Sequence, residues 1–413
     1  MESSHVVELF LALGLIIGIA QLAGAAARAA KQPRVFGELV AGVLLGPTLI
    51  NMLHWSSFSE PEQIMHTIEE FAELGVLFMM FTIGLEVHLR ELISVGRVAI
   101  WGGTLGALLP LMLALPIVLV FNYSAESSIF VGVVLAATSV SISAQTLLEL
   151  GVLRTKEGMG LLATAVVDDV FAILLLSIVV ATLGPDTNAS AGDLIWIFAR
   201  MTLYLGGALL LAWRALPWLF NRIHHTPQIA SGTASFALIT ALIFGWSAEA
   251  LGGIAPITGA FIAGLGLARA NARVRSEVEN TVRQISYAFL VPIFFVNVGL
   301  HADLLAIPLD VLPLAGLLLI AAVVAKIIGC GAGARLGGFS NGESLRLGVC
   351  MISRGEVGLI IASVGKASGL LSDGLFEPLF LVILLTTVLT PPLVRRVFAP
   401  QLKSPPALIT KQG

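Results

Sequence analysis

The sequence predicts an all-α, polytopic membrane protein of about thirteen transmembrane helices, built as inverted repeats around two interrupted helices. Composition is the first reason. Of the 413 residues, 57% are hydrophobic and only 12% are charged, about half the charged share of a soluble domain, and the mean hydropathy is +0.95. The second is a succession of apolar runs long enough to cross a hydrocarbon core, separated by loops of about fifteen residues or fewer. The third is that lysine and arginine gather in every other loop, the charge bias that orients membrane helices.

In chain order the spans fall at about 6–28, 35–53, 68–88, 98–122, 127–149, 158–183, 194–219, 231–251, 253–270, 284–300, 308–335, 343–367 and 374–398. Span 1 follows an acidic start, MESSHVVELF, which lacks the positive charge of a secretory signal, so the helix is expected to stay. Spans 2, 9 and 10 are short or interrupted by Gly and Pro. Spans 5 and 12 carry polar breaks, span 6 an aspartate pair, and span 11 a lysine at its centre. Residues 1–398 therefore read as one transmembrane unit: a first repeat over about 6–183, a linker helix over about 194–219, and an inverted second repeat over about 231–398. Residues 399–413 read as a short cytoplasmic tail, and no regulatory nucleotide-binding domain is expected in this chain.

Orientation follows from the basic residues. Arg28, Lys31 and Arg34 follow span 1; Arg90 and Arg97 span 3; Arg154 and Lys156 span 5; Arg214 and Arg222 span 7. Arg269, Arg273, Arg275 and Arg283 follow span 9, Arg335 and Arg346 flank the turn after span 11, and Arg395, Arg396, Lys403 and Lys411 end the chain. That is nineteen of the twenty-three Lys and Arg on one side, whereas the loops 54–67, 123–126, 184–193 and 301–307 hold none. The N-terminus is expected outside and the C-terminus in the cytoplasm. Arg200 and Lys366 lie near span ends, where long side chains snorkel to the headgroups; Lys326 and Arg354 lie too deep for that. The net charge of −3 and the lack of a basic face argue against a nucleic-acid partner. Cys330 and Cys350 read as small core residues, and no histidine has metal-ligand spacing.

Asp168 and Asp169 interrupt the run from Gly158 to Leu183. One carboxylate at the centre of a membrane helix costs roughly 2.5–3.5 kcal/mol on insertion scales and normally marks an ion or proton path. Two together point to use rather than helix packing. The breaks point the same way. Span 5 carries Thr138-Ser139-Val140-Ser141 in its middle, and span 12 carries Ser353-Arg354-Gly355-Glu356 in the matching place. Span 12 comes seven spans after span 5, an odd offset, so the two copies run in opposite directions. Paired broken helices that meet near the midplane are the signature of an inverted-repeat secondary transporter.

The ordered set of motifs resembles the monovalent cation:proton antiporter-2 family of prokaryotic sodium/proton and potassium/proton exchangers. The matching pieces are GELVAGVLLGP at 37–47, FTIGLE at 81–86, the break at Thr138, the aspartate pair, GAFIAG at 259–264, PIFF at 292–295 through Gly299, Lys326 and Arg354-Gly355-Glu356. The resemblance implies thirteen helices, a homodimer in a prokaryotic inner membrane, and a core domain that moves against a dimerisation scaffold. It further implies that Asp169 is the main carrier of cation and proton and that Asp168 pairs with a lysine on the helix before the second break, the position of Lys326. An aspartate rather than asparagine at 168 resembles the electrogenic exchangers.

On this reading Asp169 holds a proton or a monovalent cation, never both. Desolvation and the like charge next door both work against the ionised form, so the group can exchange protons for sodium at modest cost. Hard cations take oxygen ligands, and Thr138 and Ser139 can supply them beside Asp168 and Asp169. Arrival of the cation would break an Asp168–Lys326 pair and let the lysine release a second proton. Arg354 and Glu356 are expected to neutralise each other and the broken helix ends, and Asn297 to bond between helices or to a ligand. No cofactor is expected beyond the transported sodium or potassium and protons, and no enzymatic activity. Two other classes fit less well. An intramembrane aspartyl protease needs carboxylates on facing helices as acid and base, whereas these are adjacent and point about 100° apart. A cation channel needs a symmetric selectivity segment, which this sequence lacks.

Overall fold

The computed structural model describes residues 2–87, 89–183, 191–224, 232–305, 307–372 and 374–402. Its helices are α1 (Glu2–Ala29), α2 (Arg34–Leu45), α3 (Pro61–Glu86), α4 (Leu89–Ser94), α5 (Gly96–Val120), α6 (Ala125–Ala136), α7 (Val140–Glu149), α8 (Lys156–Leu183) and α9 (Ala191–His224). They continue with α10 (Gly232–Ser247), α11 (Pro256–Leu267), α12 (Ala272–Ile285), α13 (Val291–Leu300), α14 (Leu312–Leu336), α15 (Asn341–Cys350), α16 (Glu356–Ala367) and α17 (Phe376–Leu402).

Among the described residues nine helical stretches are long and apolar enough to cross a bilayer, with α6–α7 and α12–α13 each counted as one. The other expected spans have physical reasons to miss that criterion. α2 and α11 are only 12 residues each, α3 carries Glu62, Glu69, Glu70, Glu73 and Glu86, and α15–α16 is interrupted at 351–355. The tail expected from 399 starts as helix, because α17 runs on to Leu402; residues 403–413 lie outside the described residues.

One segment differs from the sequence reading. Residues 271–283, expected as a basic loop, form most of α12, whose Val274, Val278 and Val282 are all fully buried. An apolar residue every fourth position makes a narrow stripe that holds the helix down, although its overall polarity hides it from hydropathy. A π-turn at Ser286–Leu290 joins it to α13. Arg200 differs too. Its guanidinium donates to the carbonyls of Leu251 at 2.7 Å, Ala250 at 3.2 Å and Glu249 at 3.3 Å, so it caps the end of the α10 segment rather than reaching for headgroups.

The largest apolar cluster runs through α1, α2, α3, α7, α8, α11, α13, α15 and α17, and beside it the helices form two smaller groups. Phe130, Val134, Leu318, Leu379 and Ile383 anchor an apolar cluster shared by α6, α14 and α17, with α5, α8 and α16 around it. Phe81, Phe220, Phe244, Ala263 and Val278 anchor a second, shared by α3, α9, α10, α11 and α12. Within each group helices cross on small residues, because association inside a membrane depends on close van der Waals packing. A Cβ on Gly329 of α14 would lie 2.6 Å from the Leu105 carbonyl oxygen of α5, and one on Gly264 of α11 would overlap the Phe81 carbonyl of α3.

Candidate functional site

α8 crosses the middle of the molecule as an unbroken helix of 28 residues, and Asp168 and Asp169 lie near its centre, 1% and 9% exposed. Successive side chains on a helix diverge by about 100°, and here that angle sends the two carboxylates to different neighbours.

Asp168 faces α14. The Lys326 ammonium donates to both of its oxygens, at 2.9 Å and 3.2 Å, and Lys326 is fully buried. Room for this pair comes from the glycines of α5. A Cβ on Gly106 would overlap the Cys330 sulfur and come within 3.8 Å of Lys326 Nζ, and one on Gly103 would lie 2.7 Å from Val167. Two opposite charges without water need this close fit, since desolvation otherwise outweighs their attraction.

Asp169 faces α11. The Thr258 hydroxyl donates to Asp169 Oδ2 at 2.9 Å. Both side chains border a cavity of about 10 Å³, together with Val140, Ile257 and Phe261. That volume admits about one water-sized species. Val140 is the first residue of α7, so the cavity reaches the interruption of span 5.

The two interruptions meet each other. The Ser139 N–H donates to the Ser353 carbonyl at 2.9 Å, and the Ser143 hydroxyl to the Cys350 carbonyl at 2.5 Å. The approach depends on Gly355, where a Cβ would lie 2.9 Å from Ser139 Oγ. A broken helix leaves carbonyls without partners, and Arg354 answers them. Its guanidinium, fully buried, donates to Leu135 at the end of α6 (2.7 Å and 3.0 Å), to Ile352 at 2.8 Å and to Ala322 of α14 at 3.1 Å. The Thr387 hydroxyl of α17 donates to the Arg354 carbonyl. Arg354 thus places positive charge at the negative end of a half-helix; its expected neutralisation by Glu356 falls on a side chain outside the described residues.

The remaining expected residues are spread around this centre. Ser139 Oγ lies 2.9 Å from Ser141 Oγ and does not border the Asp169 cavity. Thr138 Oγ1 and Asn297 Oδ1 are buried with no hydrogen-bond partner among the described residues, which leaves both oxygens available to a ligand. Thr258 escaped the sequence reading. It directly precedes the Gly259–Gly264 motif and is the one hydroxyl in PITGAFIAGLGL, a signal indistinguishable from a packing threonine. A polar chain at the end of the basic loops was also missed. The Arg34 N–H donates to Glu149 at 2.6 Å, Gln145 to Glu149 at 3.2 Å, and Tyr287 OH to Gln145 at 2.9 Å.

Known proteins share this architecture. The family described as "sodium/hydrogen exchanger, transmembrane" matches residues 12–399. The sodium/proton–potassium antiporter GerN of Bacillus cereus is 34% identical over 391 residues, covering 95% of this chain and 96% of its own. The sodium/proton antiporter of Enterococcus hirae is 34% identical over 360 residues, 87% and 90% of the two chains. Among solved structures, the sodium proton antiporter MjNhaP1 from Methanocaldococcus jannaschii superposes with a TM-score of 0.70 over 96% of this chain and 98% of its own, at 16% identity, a likeness of fold.

Proposed function

The chain belongs to the sodium/hydrogen exchanger family, and from that premise we propose that it is a secondary sodium/proton antiporter that works by alternating access at Asp168 and Asp169. It is a multi-pass membrane transporter and not an enzyme. The observation that carries the assignment of roles is the split of the aspartate pair: Lys326 holds Asp168 with two hydrogen bonds, while Asp169 borders a small cavity and is held by a neutral hydroxyl.

Asp169 is the exchangeable carboxylate, taking either a proton or the cation. The cation's remaining ligands are oxygens, for which Thr138, with its unpartnered Oγ1, and Ser139 are the candidates beside the carboxylates. Drawing Asp168 toward the cation loosens Lys326, which then gives up a proton; two protons per cation makes the exchange electrogenic. Arg354 holds the broken helices together, and Asn297 is a supporting oxygen. The first packing group acts as a mobile core and the second as the scaffold, within the repeats at about 6–183 and 231–398 joined by the helix at 194–219. The protein sits in a prokaryotic inner membrane as a homodimer, N-terminus outside and C-terminus in the cytoplasm, as the alternation of basic loops supports. Potassium is a second cargo to test, because the relative GerN is named for both ions.

Proteoliposomes with an imposed pH gradient test the reading. Sodium should dissipate the gradient through the wild type and not through Asp169→Asn; equal dissipation by the variant would remove Asp169 from its role.

A further inference from the structure

Asp169 and Thr258 meet in the largest apolar cluster, yet they sit on helices whose main neighbours fall in the two different smaller groups. α8 packs against α5, α6, α7 and α15, with a flank on α9, whereas α11 packs against α3, α9 and α10. Their hydrogen bond, 2.9 Å long and buried, therefore ties one group to the other at the depth of the exchange site. Alternating access moves one group against the other around a fixed site, so this bond must break in every cycle. What breaks it is then a mechanistic question.

We propose that Thr258 is a positioning residue that latches the empty carrier. Its hydroxyl holds the ionised, unloaded Asp169 against the α3–α9–α10–α11 group; a cation on the carboxylate turns it away, and a proton weakens the bond. The inference rests on the reading of Asp169 as the exchangeable group. A threonine hydroxyl has one hydrogen and two lone pairs. Opposite an ionised carboxylate it can only donate, and that charge-assisted bond is roughly twice as strong as a neutral one. A cation seated in the cavity beside Asp169 Oδ2 repels the hydroxyl hydrogen, so the hydroxyl turns and offers a lone pair to the ion instead. A proton on Asp169 leaves a neutral bond of ordinary strength. The latch is thus strongest in the one state whose crossing would uncouple exchange. A carrier that crosses protonated and returns empty moves protons without any cation. Apart from Asp169 and Thr258, the cavity is lined by apolar side chains such as Val140, Ile257 and Phe261, so the hydroxyl is the polar group that α11 offers there.

Thr258→Val removes the hydroxyl at nearly constant shape, and Thr258→Ser keeps it. Proton flux down a pH gradient is measured in proteoliposomes twice, without alkali cations and with sodium, and the ratio of the two is taken. That ratio does not depend on how much protein is active, so a merely structural defect leaves it unchanged. The latch predicts a cation-independent share raised roughly ten- to hundredfold in Thr258→Val, the usual weight of a hydrogen bond to a charged group, and a wild-type ratio in Thr258→Ser. Thr258→Ala serves as the second variant and should leak like Val. A wild-type ratio in both Val and Ala overturns the latch, as does loss of both fluxes in both, since removing a latch must raise leakage. If the wild type itself shows no sodium-dependent flux, the antiporter reading fails first and the latch falls with it; normal wild-type exchange with unaltered variants sinks the latch alone.

Discussion

Asp168 and Asp169 share a helix, a depth and a chemistry, yet the structure gives them opposite surroundings. Asp168 is enclosed within one packing group, 1% exposed, with a full counter-charge on both oxygens. Asp169 looks out of that group, borders a cavity, and is bonded to a hydroxyl on the other. One step along a helix is enough for this, because about 100° of rotation points a side chain at a different neighbour. The difference teaches that an acidic pair in a membrane need not be one site with two equivalent ligands. Here one carboxylate is held by a buried lysine, and its neighbour borders a cavity beside a hydroxyl.

Stability measurements can break that comparison. Asp168→Asn leaves Lys326 as an uncompensated buried charge, and breaking such a pair from one side costs about 3–5 kcal/mol; the variant should melt far below wild type in detergent. Asp169→Asn replaces a carboxylate that accepts from the Thr258 hydroxyl, and should melt within about 1 kcal/mol of wild type while losing exchange. Similar losses of stability for both would erase the distinction. The double variant Asp168→Asn/Lys326→Met should recover most of the loss, because replacing both partners by neutral groups is often harmless.

The interruptions give a medium effect. Gly355→Ala pushes a Cβ to 2.9 Å from Ser139 Oγ, and such overpacking costs about 1–3 kcal/mol. Because the contact joins the two broken helices, exchange should fall along with the melting temperature; a variant that melts lower with undiminished exchange per folded molecule would detach the breaks from transport. Tyr287→Phe is the smallest change. It removes one hydrogen bond to Gln145, about 0.5–1.5 kcal/mol, at a contact remote from the aspartates in sequence. Its expected signature is a modest shift in exchange rate with the ion affinity unchanged, read from the sodium dependence of the flux.

The same contrast explains what the amino-acid sequence reveals. Long apolar runs, the alternation of basic loops and two adjacent aspartates are large departures from background, and each follows from the solvation of charge in a bilayer. Lys326 stands out for the same reason, as a lysine too deep to snorkel. Signals that depend on which face a residue occupies are weaker. α12 hides because three buried valines every fourth residue are averaged away among arginines and glutamates. Thr258 hides because a lone hydroxyl in an apolar helix bonds its own backbone or packs against glycine in most settings; only the position of α11 across from α8 gives it a carboxylate. Arg354 was legible as a buried cation, but that its hydrogen bonds go to carbonyls of α6, the break and α14 follows from how the half-helices end.

Whether Asp169 is the carboxylate that trades a proton for the cation is tested most directly by proton release from purified protein in weakly buffered detergent solution on adding sodium. The account predicts release from the wild type and from Thr258→Ser, and none from Asp169→Asn even though that variant stays folded. Undiminished sodium-dependent release from folded Asp169→Asn would contradict it.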